Sequence, residues 1–174
     1  MKAVVVYQSL WGSTAAIAQA IAEGLGEGAK ALSTTEATPE TLKGAKLIVA
    51  GAPIHAFNLP TEESVKSSLE RANKKGDLPP DISQMLLREW LKDLPSGLGA
   101  AAAAFDTRVP GPLGRGGASK ILKRLDRAGL TPVAKPQGFQ VAMRTTESIK
   151  TGALLEGEVD RARQWGRELA AKIT

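Results

Sequence analysis

Ala3-Val4-Val5-Val6-Tyr7-Gln8-Ser9-Leu10-Trp11-Gly12-Ser13-Thr14 is the stretch that decides the fold of this chain. An apolar run leads into a short loop of hydroxyl residues. An alanine-rich segment follows, with Ile17, Ala20, Ile21 and Leu25 on one face at helical spacing. The pattern predicts strand, loop, helix. A helix N-terminus presents backbone N–H groups without intrahelical partners and a partial positive charge, so it suits an anion. Ser9, Ser13 and Thr14 add hydroxyl donors, and Gly12 lets the backbone approach a ligand closely. The loop has no lysine or arginine, so neutral donors and the helix dipole would carry a phosphate here.

Outward from this stretch, apolar and helical segments alternate. Gly24, Gly26 and Gly28 read as a helix stop, since they precede a strand rather than follow one. Residues 29–33 predict a weak strand near a sheet edge, and Thr38-Pro39 starts a short helix. Lys46–Gly51 is a continuous apolar run suited to a strand buried on both faces. Residues 53–60 read as a loop, and Thr61 caps a helix with Val65, Leu69 and Ala72 on its stripe. Residues 73–80 read as loop. Asp81 and Gln84 are spaced as a capping box for a helix over 82–92. The five alanines 100–104 favour helix by propensity, whereas the alternation of elements favours a strand over 98–105, and we read a strand. Residues 106–117 read as a loop, and 118–128 as a helix stopped by Gly129. Residues 131–134 and 139–143 form an interrupted last strand, and 156–173 a final helix. Five strands alternating with helices imply one α/β domain over 1–174, a three-layer doubly wound parallel sheet of order 2-1-3-4-5. Ligands bind such sheets beyond the strand carboxyl ends, where the order reverses. The loops there are 9–14, 52–60 and 106–117.

Composition narrows the chemistry. There is no cysteine, which removes disulfides, thiolate metal sites and thiol nucleophiles and fits a reducing compartment. One histidine, His55, rules out a multi-histidine metal site and leaves no serine–histidine–acid arrangement to argue. No signal peptide and no membrane-spanning run is present, so a cytoplasmic location is expected. The charge of +5 and pI near 9.6 permit anionic partners. Only three tryptophans, three phenylalanines and one tyrosine occur, without the aromatic–basic interleaving of an RNA-binding surface, so no nucleic-acid partner is expected. Tyr7-Gln8-Ser9 lacks the acidic pair of a magnesium-binding receiver domain, and no Gly-Lys-Ser/Thr phosphate loop is present.

Ser9, Gly12 and Thr14, following the first strand in this order of elements, make the chain resemble the flavodoxin family. That family's phosphate loop has a serine or threonine, two residues, a glycine, any residue, then threonine. Residues 105–108, 157–162 and Trp165-Gly166 also resemble stand-alone flavodoxin-domain proteins. The resemblance implies a flavodoxin-like fold and FMN. The phosphate would lie on Ser9, Leu10, Trp11, Gly12, Ser13 and Thr14. The ring would lie between Pro53, Ile54, His55, Ala56, Phe57 and Asn58 on one side and Phe105, Asp106, Thr107 and Arg108 on the other. It implies a redox protein that either transfers electrons or reduces a small acceptor such as a quinone. The alternative is a flavin-free interaction module with the same fold, and flavodoxin-type protoporphyrinogen oxidase is a neighbouring activity.

Two departures bear on the chemistry. The loop over 52–60 has no glycine, unlike the loop beside flavin N5 in one-electron flavodoxins, and the chain is basic where electron carriers are typically acidic. Both favour two-electron reduction. Arg108 is the candidate cation that would make the potential less negative. His55 is the candidate catalytic residue, as donor or proton shuttle, or else a solvated loop histidine. Trp11 and Phe57 would cover the ligand or pack the loops. Asp106 is a candidate acid or ring partner, or caps a turn beside Thr107. Arg115, Lys120, Lys123, Arg124 and Arg127 form a basic cluster. It would meet an acidic redox partner or the extra phosphate of NADPH, or simply be a solvated helix face.

Overall fold

The apolar runs become neighbouring parallel strands. In the computed structural model, which describes residues 1–55, 58–75, 79–111, 116–142 and 153–173, β1 (Ala3–Tyr7) lies between β2 (Ala29–Ser33) and β3 (Leu47–Pro53). β4 (Ala101–Arg108) follows β3. β5 (Thr131–Pro132) and β6 (Gln137–Gln140) lie one after the other along β4. The order is β2-β1-β3-β4-β5, the doubly wound order expected from the alternation of elements. The last strand is split because Pro132 and Pro136 supply no N–H to the ladder there. Beyond β6, Val141 pairs antiparallel with Leu154, and Met143 of the expected strand lies outside the described residues.

Side chains alternate across these strands and make two cores. Val4, Val6, Ile48, Ala50, Ala102 and Ala104 face α2 (Pro39–Leu42), α4 (Leu87–Trp90) and α5 (Gly117–Arg127). Ala3, Val5, Leu47, Val49, Ala103 and Phe105 face α1 (Ser13–Leu25) and α6 (Glu158–Ile173). The alanine run is therefore a strand, as read. Sandwiched between two helical layers, it gains more from burial and ladder hydrogen bonds than from helix propensity. Thr38 caps α2 through the Thr41 N–H. Thr61 and Ser64 cap α3 (Glu62–Lys75) reciprocally: the Ser64 N–H donates to Thr61 Oγ1 at 3.1 Å and the Thr61 N–H to Ser64 Oγ at 2.9 Å.

Four expectations are corrected. Helix α3 runs to Lys75, past the expected start of the loop at residue 73. The expected helix over 82–92 is one turn, α4. Asp81 and Gln84 do not cap it, since it starts only at Leu87: Asp81 accepts from Ser83 and from Gln84 Nε2, and Gln84 reaches the main chain of Ser9. Gln8 does the capping instead, its Oε1 accepting the Leu87 N–H at 2.9 Å. The loop expected over 106–117 begins later, since β4 continues through Arg108 between Pro53 and the Gln137–Gln140 strand. Gly24 is no helix stop. It lies inside α1, where Gly26 at φ 88° ends the helix, and its missing side chain lets α6 approach.

Candidate functional site

Three chain segments leave the sheet at the strand carboxyl ends where the order reverses. The first is the loop after β1. Ser9 is tied at both main-chain groups to the Gln84 amide, at 2.9 and 3.1 Å. The Asp81 N–H donates to the Leu10 carbonyl at 2.7 Å. Residues 81–84 thus clamp the loop from the side. Sequence reading missed Gln84 as a partner of the loop, since its spacing from Asp81 pointed to a helix cap. Gly12, at φ 97°, stands at the N-cap of α1 and gives no side-chain cap, so the helix start is left to other partners. Ser9 Oγ accepts the Gly12 N–H at 3.1 Å and keeps its own proton to donate. Thr14 Oγ1 and Thr107 Oγ1 lie 2.8 Å apart. One proton joins those two hydroxyls, so one remains for a further acceptor. A Cβ built on Gly12 would meet nothing within 4 Å. This donor set fits a phosphate: an uncapped helix start, spare hydroxyl protons and open space beside the glycine.

The second segment follows β3. Pro53 ends the strand, and Ile54 N–H donates to the Thr107 carbonyl at 3.0 Å. His55 and Asn58 exchange both main-chain hydrogen bonds, at 2.8 and 2.9 Å. Ala56 and Phe57 lie outside the described residues. His55 Nδ1 is 3.2 Å from Ser64 Oγ, and its ring centroid is 6.4 Å from that of Trp11. Burial, reinforced by the Arg71 charge, holds the imidazole below its usual pKa, so it is neutral at neutral pH. A neutral ring donates from one nitrogen and accepts at the other. Trp11, 49% exposed, is the aromatic face beside it.

The third segment is the end of β4. Here alternation separates the expected residues. Phe105 is fully buried towards α1 and α6, with its ring covering Gly51, so its side chain is removed from the ligand contacts expected of it. Thr107 joins Thr14. Asp106 points the other way and is fully buried, accepting the Ala118 N–H at the start of α5 at 2.7 Å. Arg108 donates to both Asp106 oxygens and its guanidinium lies over Gly138, so its charge is answered within the protein. That pairing weakens the expectation of Arg108 as an uncompensated cation. It also shows the role of Asp106, which fixes the start of α5 beside the strand end rather than capping a turn at Thr107. Among the described residues no group of acidic and histidine side chains could hold a metal ion.

Burial pushes the Asp106 carboxyl above the usual aspartate range, against the opposing pull of the Ala118 N–H and Arg108. A carboxyl whose pKa is raised by folding binds protons more readily in the native state. Its contribution to stability therefore falls as pH rises from 3.8 through its native value. We expect wild type to gain stability relative to Asp106→Asn as pH is lowered across that window. Urea unfolding of both proteins at a series of pH values checks it, and a constant difference between the curves would sink the expectation.

No protein-family model matches the sequence, and no curated protein does. Solved structures match over nearly the whole chain. A flavodoxin from the domain Archaea superposes with TM-score 0.64 at 18% identity, covering 99% of each chain. The flavodoxin of Streptococcus pneumoniae TIGR4 gives 0.63 at 16%, again over 99% of each. A flavodoxin, WrbA-like protein from Agrobacterium tumefaciens gives 0.57 at 17%, over 99% of this chain and 96% of that one. The chain therefore has the flavodoxin-like α/β fold. Among the described residues no helix is long and apolar enough to cross a membrane.

Proposed function

We propose that this protein binds FMN and acts in the cytoplasm as a flavodoxin-like redox protein, transferring electrons or reducing a small acceptor such as a quinone. The observation that carries the reading is the start of α1, with a glycine that has no side chain to cap it at its N-cap and Ser9 and Thr14 beside it, at the point where the strand order reverses. The phosphate is assigned to this loop, and the ring to the space beside Trp11 and His55 and the segment after β3. FMN, when bound, supplies the redox chemistry; the protein positions it and sets its surroundings. Neutral His55 offers a proton-bearing or accepting nitrogen without adding charge. The segment over residues 52–60 has no glycine and is tied by the two His55–Asn58 main-chain hydrogen bonds, which favours two-electron reduction over one-electron shuttling. The reductant is NAD(P)H or an acidic redox protein, in keeping with the basic pI.

An FMN titration tests this, read by flavin fluorescence and by the tryptophan emission lost in Trp11→Phe. The expected result is saturable quenching at one FMN per chain. Thr14→Val keeps the side-chain shape but removes a hydroxyl. Losing one hydrogen bond to a charged group, ~1.5–3 kcal/mol, weakens FMN by roughly 10- to 150-fold. Riboflavin, without the phosphate, should bind both proteins equally and weakly. No binding at high micromolar FMN would replace this reading with the flavin-free interaction module.

A further inference from the structure

Between α4, α5 and the segment after β3 lies a cavity of about 140 Å³, away from the β1 loop. It is lined by Arg88 from α4, Lys120, Lys123, Arg124 and Arg127 from α5, and Asn58 with Leu59. The four α5 residues recur at helical spacing, so one stripe of the helix turns to the cavity while Ile121 and Leu125 turn to the core. Lys120 donates to Asn58 Oδ1. Arg88, Lys123, Arg124 and Arg127 have no ion pair among the described residues, although several other arginines of the protein do. Arg88 Nε and Arg124 Nη1 are shielded from solvent and have no hydrogen-bond partner among the described residues.

A solvated basic helix face does not look like this. Surface cations spread apart and keep their water, whereas here five converge on one concavity and two of them, Arg88 and Arg124, are partly recessed in it. A buried donor without a partner is unfavourable, more so on a charged group. Like charges brought together add to that cost. One multiply charged acceptor removes both penalties. We infer that this cavity is a phosphate-binding site, distinct from the β1 loop and independent of the flavin reading. The ligand is a phosphate or diphosphate group, free or carried on a nucleotide. Arg88 and Arg124 supply the planar donors that match its oxygens, and Lys123 and Arg127 supply charge at the rim. The recessed donors favour a small group that can enter the cavity over the flat face of an acidic protein.

The test is a titration with inorganic phosphate and with pyrophosphate at constant ionic strength, with and without FMN, read by 31P NMR and by thermal midpoint. Saturable binding is expected in both conditions. Arg88→Gln/Arg124→Gln should weaken it at least tenfold, and Lys123→Gln, an exposed change that spares the fold, severalfold. Arg124→Gln should also raise the midpoint without phosphate, since it removes a crowded cation, and reduce the further rise with phosphate. Arg163→Gln, at an arginine paired with Glu23 and Asp160, should leave phosphate binding unchanged. NADP+ responding more strongly than NAD+ would support a phosphomonoester on a dinucleotide, and equal responses a free phosphate or a diphosphate. The inference is overturned if phosphate acts no differently from chloride. It is overturned as well if binding is lost in Thr14→Val but kept in Arg124→Gln, or if hexaglutamate binds where phosphate does not.

Discussion

Phe105→Ala should lower the unfolding free energy by about 3–5 kcal/mol, the usual cost of emptying a buried aromatic site. Phe105 is fully buried at the centre of the sheet. Its ring lies over Gly51 of the neighbouring strand, where a Cβ would collide with it. It also meets Phe139 edge-on, with centroids 6.1 Å apart at 73°, a geometry that adds ~0.5–1.5 kcal/mol. The strand residue facing the ring is a glycine, which has no side chain to enter the space. For a domain of this size each kcal/mol moves Tm by about 2–4 °C, so a fall on the order of 10 °C is expected. Urea denaturation measures it. The pair also predicts a reversal of sign. Gly51→Ala destabilises wild type by collision with the ring, but stabilises Phe105→Ala, where the same methyl enters a hollow. If Gly51→Ala has the same sign in both backgrounds, the ring does not occupy that position.

Gly166→Ala sets two opposed effects against each other. On propensity alone, alanine in a helix gains about 1 kcal/mol over glycine. Here the new methyl would press on the Ile21 carbonyl of α1. Gly24 mirrors it: its Cβ would strike the Arg163 carbonyl and stand 3.0 Å from Gly166 Cα. The two helices cross backbone to backbone at this glycine pair, and neither side is a flexible side chain that can swing away. Overpacking of this kind costs about 1–3 kcal/mol, and with backbone on both sides the upper end applies, so after the propensity gain a net loss of up to about 2 kcal/mol is expected for Gly166→Ala. Gly24→Ala should behave alike. Gln164→Ala, on the exposed face of α6, is the control and should fall within about 0.5 kcal/mol of wild type. A gain in stability for Gly166→Ala would mean that the helices can separate freely.

Both positions show where sequence reading stops. Gly24 looked like part of a helix stop because three glycines alternate there, and only the packing of α6 reveals a close approach. Phe105 looked like a site residue because it adjoins Asp106-Thr107-Arg108. The parity of the strand sends it to the opposite face from Asp106. Parity was readable once the strand was known to run through Arg108. Glycine- and proline-rich residues after it suggested that the strand ended sooner.

What the sequence determined by itself was the order of elements, the parallel doubly wound sheet and the loop after β1. These follow from local periodicity, since apolar runs, helical stripes and turn residues carry their signal within a dozen positions. The tertiary structure alone decided which side chains meet. Gln84 holds Ser9 from 75 residues away, and Arg88 faces the basic stripe of α5 across the cavity. It also decided the state of the charges: Arg108 is matched by Asp106, whereas Arg88 Nε and Arg124 Nη1 are left without partners among the described residues. Such pairings depend on distance and burial, and these arise only when segments remote in sequence pack together and exclude water.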